Sequence, residues 1–411
     1  MSLDIQSVSR RATTDPVLNG WQEQIRAAAA EGRTLRITGG GSKSFYGRPM
    51  AGEKLDTTHY CGIVAYEPTE LVITARCGTP LAEIESALAE RGQMLAFEPP
   101  RFAGAPSSDN EVRADTSASP QVIAPAPRHE AALPGTASGA KSQATIGGVV
   151  AAGLSGPRRM AAGAVRDFVL GVRLLDGQGE LLCFGGQVMK NVAGYDVSRL
   201  LAGSLGGLGV LAEVSLKVTP RPRQELGLRF ELNEREALAQ LHRWAGQPLP
   251  ISASTWYDNV LYLRLAGAEA AVTAAHQKLG GEPMTPEHAE AFWAGLRDQT
   301  HRFFTDPPAD TALFRLALPD TAPVLGLAAP QLIEWGGAQR WCRTGLGEAQ
   351  KISANATSHG GHATVFRPPP GVAVDHVFTP LPAALWRIHR QLKHVFDPAG
   401  IFNRGRMYRD L

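Results

Sequence analysis

The chain has 411 residues, 44% of them hydrophobic and 19% charged, and its 41 Lys+Arg against 39 Asp+Glu leave a formal net charge of +2. That length supports two domains and a sizeable core, and the ordinary composition confines disorder to local segments. The balanced charge, without a long basic stripe, excludes nucleic acid and an anionic membrane surface as natural partners and leaves a small molecule or another protein.

Cys61, Cys77, Cys183 and Cys342 lie far apart with no C-x-x-C spacing. No metal site or iron–sulfur cluster is therefore expected, and free thiols in a reducing, cytoplasmic setting are. Arg10-Arg11 is followed by a polar stretch where a signal's apolar core would stand, and no apolar run approaches the roughly 18 residues of a membrane span.

In chain order, Trp21, Ile25 and Ala28 have helical spacing within residues 21–31, Gly32 stops that helix, and residues 34–38 alternate as a strand. The strand runs into Gly39-Gly40-Gly41-Ser42-Lys43. Successive glycines let a backbone curl its N–H groups into an anion nest; the other reading is a plain tight turn. Neither a Gly-x-Gly-x-x-Gly strand-to-helix turn nor a P-loop occurs, which disfavours nicotinamide and nucleoside triphosphate sites. Strands are predicted at 63–66 and 71–76, then a helix at 81–91 opened by Gly78-Thr79-Pro80. Residues 103–142 are rich in alanine and proline and hold no aromatic residue, which predicts a flexible insertion.

Residues 144–220 organise the chain. Ala144-Thr145-Ile146-Gly147-Gly148 through Gly153 has only small or β-branched side chains, so its backbone can approach a ligand closely. Gly185-Gly186 leads into Met189-Lys190-Asn191, and a third glycine cluster spans 203–209. Lys190 suits a phosphate or ring oxygen, or an ion pair with Asp196. Arg158 and Arg159 read as an exposed basic pair. Strands are predicted at 165–175 and 208–218, with a short helix at 197–202 between them. After Pro220-Arg221-Pro222, strands at 226–231 and 259–265 and helices at 234–245 and 268–279 suit a small ferredoxin-like α+β sheet. A helix at 381–396 leads to the tail around Asn403. The expected organisation is residues 1–222, then 223–375 as a cap, then 376–411 returning to the first domain.

The strings Glu67-Pro68-Thr69-Glu70-Leu71, Gly156-Pro157-Arg158-Arg159 and Met189-Lys190-Asn191-Val192-Ala193-Gly194-Tyr195-Asp196, with the glycine turn before them, resemble the vanillyl-alcohol-oxidase or p-cresol-methylhydroxylase (PCMH) type of FAD-binding family. Within it the chain is similar to the smaller flavin-binding subunits of bacterial glycolate oxidases, from about residue 34 to 408 except for the insertion. The resemblance implies an α+β fold of two FAD-binding subdomains with a ferredoxin-like cap. It also implies FAD contacts at Thr38, Gly39, Gly40, Gly41, Ser42, Lys43, Thr79, Ala144, Thr145, Gly147, Gly148, Gly153, Lys190, Gly209, Val210 and Asn403. The implied partners are a larger flavin-binding subunit and an iron–sulfur subunit, with a small 2-hydroxy acid as substrate and any contact with the inner membrane made through those partners. Relatives that bind flavin covalently carry a His in the first glycine turn. None stands here, so FAD is expected to be noncovalent.

Oxidising a 2-hydroxy acid needs a base for the hydroxyl proton and a cation for the carboxylate. The candidates are His362 and Arg367, whose odd spacing on one strand sets them on opposite faces unless a bulge intervenes. The paired histidines of related caps are missing. Two other readings stand beside the FAD subunit: a flavin-empty structural subunit, and a self-sufficient flavin oxidase.

Overall fold

The computed structural model describes residues 9–10, 13–102, 144–186, 196–308 and 310–411. The predicted insertion at 103–142, Lys190 and Tyr195 lie outside the described residues. The N-terminal part contains β1 (Ser9–Arg10), α1 (Pro16–Glu31), β2 (Leu35–Thr38), β3 (Glu53–Asp56), β4 (Ile63–Glu67), β5 (Val72–Arg76), α2 (Leu81–Ala89) and β6 (Gln93–Met94). After the insertion come α3 (Ile146–Ala152), α4 (Arg159–Ala162), β7 (Val169–Leu175), β8 (Leu181–Gly185), α5 (Val197–Leu200), β9 (Val210–Lys217) and β10 (Thr219–Pro220). One sheet has the order β1-β8-β7-β9-β5-β4, while β2 and β3 form a separate parallel pair.

Local chemistry sets the boundaries. Helix α1 begins at Pro16 and not at Trp21, because Asp15 accepts hydrogen bonds from the N–H groups of Val17 and Leu18 at 2.9 and 3.4 Å. It ends at Gly32, whose φ of 66° breaks the helix, and buries Leu18, Trp21, Ile25 and Ala28. The strand expected from residue 165 starts only at Val169, since Asp167 Oδ2 accepts the Ala164 N–H at 2.7 Å and holds Val165–Asp167 as a 3-10 turn.

The second sheet is built from β11 (Gln224–Glu231), α6 (Glu234–Ala245), β12 (Ile251–Tyr257), β13 (Val260–Gly267), α7 (Glu269–Leu279) and β14 (Glu282–Pro283). It continues with α8 (Pro286–Asp298), α9 (Arg302–Thr305), β15 (Thr311–Ala317), β16 (Gln331–Glu334), β17 (Gln339–Gly345), α10 (Ala349–Ser358) and β18 (His362–Arg367). The strand order is β14-β11-β13-β12-β16-β17-β15-β18, with antiparallel neighbours throughout. Its first half is the β-α-β-β-α-β unit in ferredoxin-like order. The second half repeats that order as β18-β15-β17-β16 without a helix between its first two strands. The pairing of β12 with β16 fuses the two units, so the sheet is twice as wide as one ferredoxin-like unit.

One face of this sheet is covered by its own helices, with Ala312, Phe314, Leu316 and Val365 under Ile352 and Ala356 of α10. The opposite, inner face packs Leu313, Leu332, Trp341 and Phe366 against Tyr46, Phe102, Ala152 and Leu154 of the N-terminal part. Helix α11 (Ala383–Phe396) then returns the chain to β2. Leu35 N–H donates to Ile401 O at 2.7 Å and Asn403 N–H to Leu35 O at 3.0 Å, which makes the tail a neighbour of the first parallel pair.

Candidate functional site

The end of β2, the start of α3, the 205–209 loop and the C-terminal tail converge on one cavity of about 150 Å³. Thr38, Gly39, Gly40, Gly41, Ser42 and Lys43 form one wall, Thr145, Gly147 and Gly148 a second, and Gly206, Gly209, Asn403 and Arg406 the remainder. Among the described residues, no protein acceptor takes the backbone N–H of Gly39, Gly40, Gly41, Ser42 or Lys43. The turn closes beyond them, where Ser44 N–H donates to Gly41 O at 3.1 Å and Tyr46 N–H to Lys43 O at 3.1 Å. Gly41, with φ 73°, makes the reversal. A row of spare donors on a cavity wall is a built receptor for an anion such as a pyrophosphate.

The opposing wall works by proximity. A Cβ on Gly147 would lie 2.7 Å from Cys77 Cβ and 2.9 Å from Cys77 O, so only glycine lets α3 sit this close to β5. The first amides of α3 are already engaged: Ile146 N–H donates to Thr79 O at 3.0 Å, Gly147 N–H to Cys77 O at 2.9 Å, and Gly148 N–H to Thr145 Oγ1 at 3.4 Å. Its contribution is therefore shape and small side chains more than free donors.

Asn403 fastens the remaining sides together. Its Oδ1 accepts the Ile37 N–H at 2.8 Å and its Nδ2 donates to Leu205 O at 2.6 Å, so its amide positions the walls and is spent inside the protein. The tail also supplies Arg406, a buried residue that the sequence reading passed over. Its guanidinium donates to Arg48 O at 2.7 Å, Ser44 O at 2.8 Å and Lys43 O at 3.3 Å. No carboxylate pairs with it among the described residues, and burial lowers its pKa to about 10. Only the tertiary return of the tail reveals this arginine. Lys43 is half-buried, and the covering of its amine pushes it down to about 8 against the opposing pull of Asp298. Its Nζ lies 3.3 Å from Ser42 Oγ and 5.7 Å from the centre of the Phe102 ring.

Other candidates sit elsewhere. Thr79 is fully buried: its hydroxyl accepts the Gly62 N–H at 2.9 Å and faces Arg76 O at 2.7 Å, while its carbonyl takes Ile146. That side chain fastens a turn and offers no group to the cavity. Gly153 ends α3 with φ 67° against Gly203, Ala144 O accepts the Leu81 N–H at 2.8 Å, and Val210 is buried in β9 opposite Leu175. Asp196, the alternative partner for Lys190, pairs with Arg199 at 3.0 Å.

Arg158 and Arg159 are not an exposed pair. Arg158 is buried, its N–H donating to Glu98 Oε2 at 2.8 Å and its guanidinium reaching Glu225 on the cap. Arg264 of the cap joins the same Glu98 at 2.9 Å. Arg159 stacks on Trp335, 4.6 Å from the ring centre. Both tie the N-terminal part to the inner face of the cap sheet.

The phasing expected for His362 and Arg367 needs correcting. Ala317 pairs with His362, Arg315 with Thr364 and Phe314 with Val365, but Leu313 pairs with Arg367, so Phe366 is an extra residue. This bulge returns Arg367 to the side of the sheet that carries His362 and Arg315. The two are nonetheless about 15 Å apart along the strand. His362 is exposed at its surface, but partial covering of its ring and then the charge of Arg315 lower its pKa. Arg367 lies at the junction, 3.8 Å from the centre of the Phe45 ring and bonded through Nη2 to Gln299 Oε1 at 3.0 Å.

A glycine cradle with spare amides suits the pyrophosphate of a flavin dinucleotide, and residues 21–105 and 121–185 match the model of the FAD binding domain family. The same fold recurs in a solved alkyldihydroxyacetonephosphate synthase at 14% identity and a TM-score of 0.58, over 93% of this chain and 73% of that one. Glycolate oxidase subunit GlcD of Bacillus subtilis is 36% identical over 96 residues, which is 23% of this chain and 20% of that protein. Glycolate oxidase subunit GlcE of Escherichia coli K12 is 46% identical over 389 residues, covering 95% of this chain and 97% of that protein. The chain belongs to the family of that subunit.

Proposed function

We propose that this chain is the FAD-binding subunit of a glycolate-oxidising complex, acting on glycolate or a related small 2-hydroxy acid. The observation that carries the reading is the run of spare amides from Gly39 to Lys43 on a cavity wall, within the stretch 21–105 that matches the FAD binding domain family. Those amides and Arg406 would hold the pyrophosphate, and Gly147, Gly148 and Gly209 would let the cofactor lie against bare backbone. When bound, FAD supplies the two-electron acceptor for the hydride of the hydroxy acid. Lys43 and Arg367 face the junction between the two sheets from its two sides, near the rings of Phe102 and Phe45.

The E. coli relative is named as a subunit, and a different subunit of the same enzyme name, from Bacillus subtilis, matches part of this chain. A larger flavin subunit and an iron–sulfur subunit are the partners that fit. The described cysteines are free and scattered, so onward electron transfer calls for a second protein. We also propose that residues 1–222 with 376–411 form the flavin-binding domain and residues 223–375 the cap. No helix among the described residues is long and apolar enough to cross a membrane. The test is purification with added FAD, a visible spectrum, and denaturation in acid. A flavin spectrum that moves entirely to the supernatant fits the reading; a colourless chain that still assembles with its partners would favour the structural subunit.

A further inference from the structure

The inner face of the cap sheet holds a group of arginines outside any direct ion pair among the described residues. Arg315, Arg343 and Arg367 all project from this face, Arg315 two positions from Leu313, which pairs with both Arg343 and Arg367. None makes an ion pair with a carboxylate among the described residues. Neutral oxygens stand where carboxylates would be expected. Arg367 Nη2 and Nε donate to the amide oxygen of Gln299 at 3.0 and 3.2 Å, and Arg315 Nε donates to the amide oxygen of Gln339 at 2.6 Å. Arg343 donates to the carbonyls of Phe303 and Phe304 at 2.8 and 2.5 Å. Partly or wholly buried cations held by neutral acceptors leave a positive site that a charged ligand can satisfy better, since a carboxylate forms stronger hydrogen bonds than an amide.

A buried acid stands in the same place. Glu334, 4% exposed, lines a cavity with Arg315, Gln339, Gln299 and Trp341, facing Leu154, Ser155 and Gly156 of the N-terminal part. Its Oε2 takes both local donors, Trp341 Nε1 at 2.6 Å and Gln339 Nε2 at 2.9 Å. Among the described residues its Oε1 has no hydrogen-bond partner, and it is not one of the fully enclosed atoms, which leaves it free toward the cavity that Glu334 lines. The Gln339 amide thus bridges acid and cation, and its orientation is fixed from both ends. Burial raises the Glu334 carboxyl to about 7, so it can donate or accept a proton-bearing hydrogen bond near neutrality.

We propose that this array is the binding subsite for a small 2-hydroxy carboxylate, with Arg315 and Arg367 taking the carboxylate and Glu334 Oε1 the hydroxyl. The cavity, about 20 Å³, holds one water-sized group. The rest of the acid takes the place of the Gln299 amide oxygen on Arg367. Gln299 stands at the end of α8 with φ 57°, a single residue of left-handed backbone between helices α8 and α9, where a side chain can swing without moving a sheet. This assignment rests on the flavin-subunit reading and adds that the substrate is held by this chain and not only by a partner.

The experiment uses the FAD-loaded full chain with its flavin reduced beforehand, so that glycolate binds without being oxidised. Calorimetric titration compares glycolate with propanoate, in which a methyl replaces the hydroxyl. Arg315→Met and Arg367→Met should each weaken both acids at least tenfold with FAD content unchanged, and Arg315→Lys should recover part of the loss. Glu334→Leu should bring glycolate down to the propanoate affinity and leave propanoate alone, whereas Glu334→Gln, which keeps the shape, should retain most glycolate binding. Three results would overturn the assignment: glycolate no tighter than propanoate in the parent chain, arginine variants that bind as the parent does, or FAD lost in step with the arginines, which would give them to the flavin. A chain that takes up no FAD at the outset sinks the flavin reading itself, and that is seen before any acid is added.

Discussion

Replacing Asn403 with Ala removes one side chain from the cofactor cradle and separates its walls. The amide is 6% exposed and holds β2 through Ile37 N–H at 2.8 Å and the 205–209 loop through Leu205 O at 2.6 Å. Without it a buried donor and a buried acceptor are both stranded, at about 1–3 kcal/mol each. Asn403 also adopts φ 41°, a left-handed conformation that asparagine tolerates and alanine does not, which adds about 1 kcal/mol. A total of about 3–7 kcal/mol corresponds to a fall in melting temperature on the order of 10 °C for a cooperative unit of this size. Excess FAD at about 100 times its Kd raises the parent's stability by about 2.7 kcal/mol. The variant should gain much less at the same FAD concentration, because its cradle is open. Melting curves with and without FAD are the assay. Parent-like melting with a parent-like FAD shift would refute the idea that this amide assembles the cradle.

Gly147→Ala should cost about 2–4 kcal/mol by overpacking against Cys77, whereas Gly20→Ala, with nothing within 4 Å of its Cβ, should be neutral or slightly stabilising; thermal melting separates them. For Lys43, burial lowers the folded-state pKa to about 8 from an ordinary 10.5. Between those values the unfolded chain holds a proton that the folded chain lacks, so FAD-free stability should rise with pH across that window, and the slope should shrink in Lys43→Met. Glu334 has the opposite sense, its pKa raised from 4.5 to about 7 by burial. Its contribution is present below about 4.5 and lost as pH rises through about 7, so Glu334→Gln should melt higher than the parent at pH 8 and show a flatter profile.

The nest at Gly39 to Lys43 was legible because backbone donors need only glycines and a preceding strand, both local features. The ferredoxin-like order of the cap was legible from its helices and strands up to residue 279, and its second copy was not, because Thr311–Ala317 and Gln339–Gly345 carry arginines on the side that faces inward. Alternating Arg and Leu reads as a solvated edge; here the polar side is an interdomain junction. The faces of His362 and Arg367 turned on a bulge at Phe366, whose cause is the packing of that ring against Trp341 and Phe102, and no local rule announces it. The burial of Arg158 was hidden in the same way, since its partners Glu98 and Glu225 are distant in sequence.

The tail's return to β2 sets an order of events during synthesis. The spare amides from Gly39 to Lys43 leave the ribosome well before Asn403 and Arg406, which fix their position. At about 5–20 residues per second, the gap between them lasts on the order of 20 to 70 s. Through that interval the cap can fold, while the nest has no fourth side. Cofactor loading is therefore expected to wait for the tail, and a chain truncated before Asn403 should keep its glycine turns and cap and yet hold no FAD.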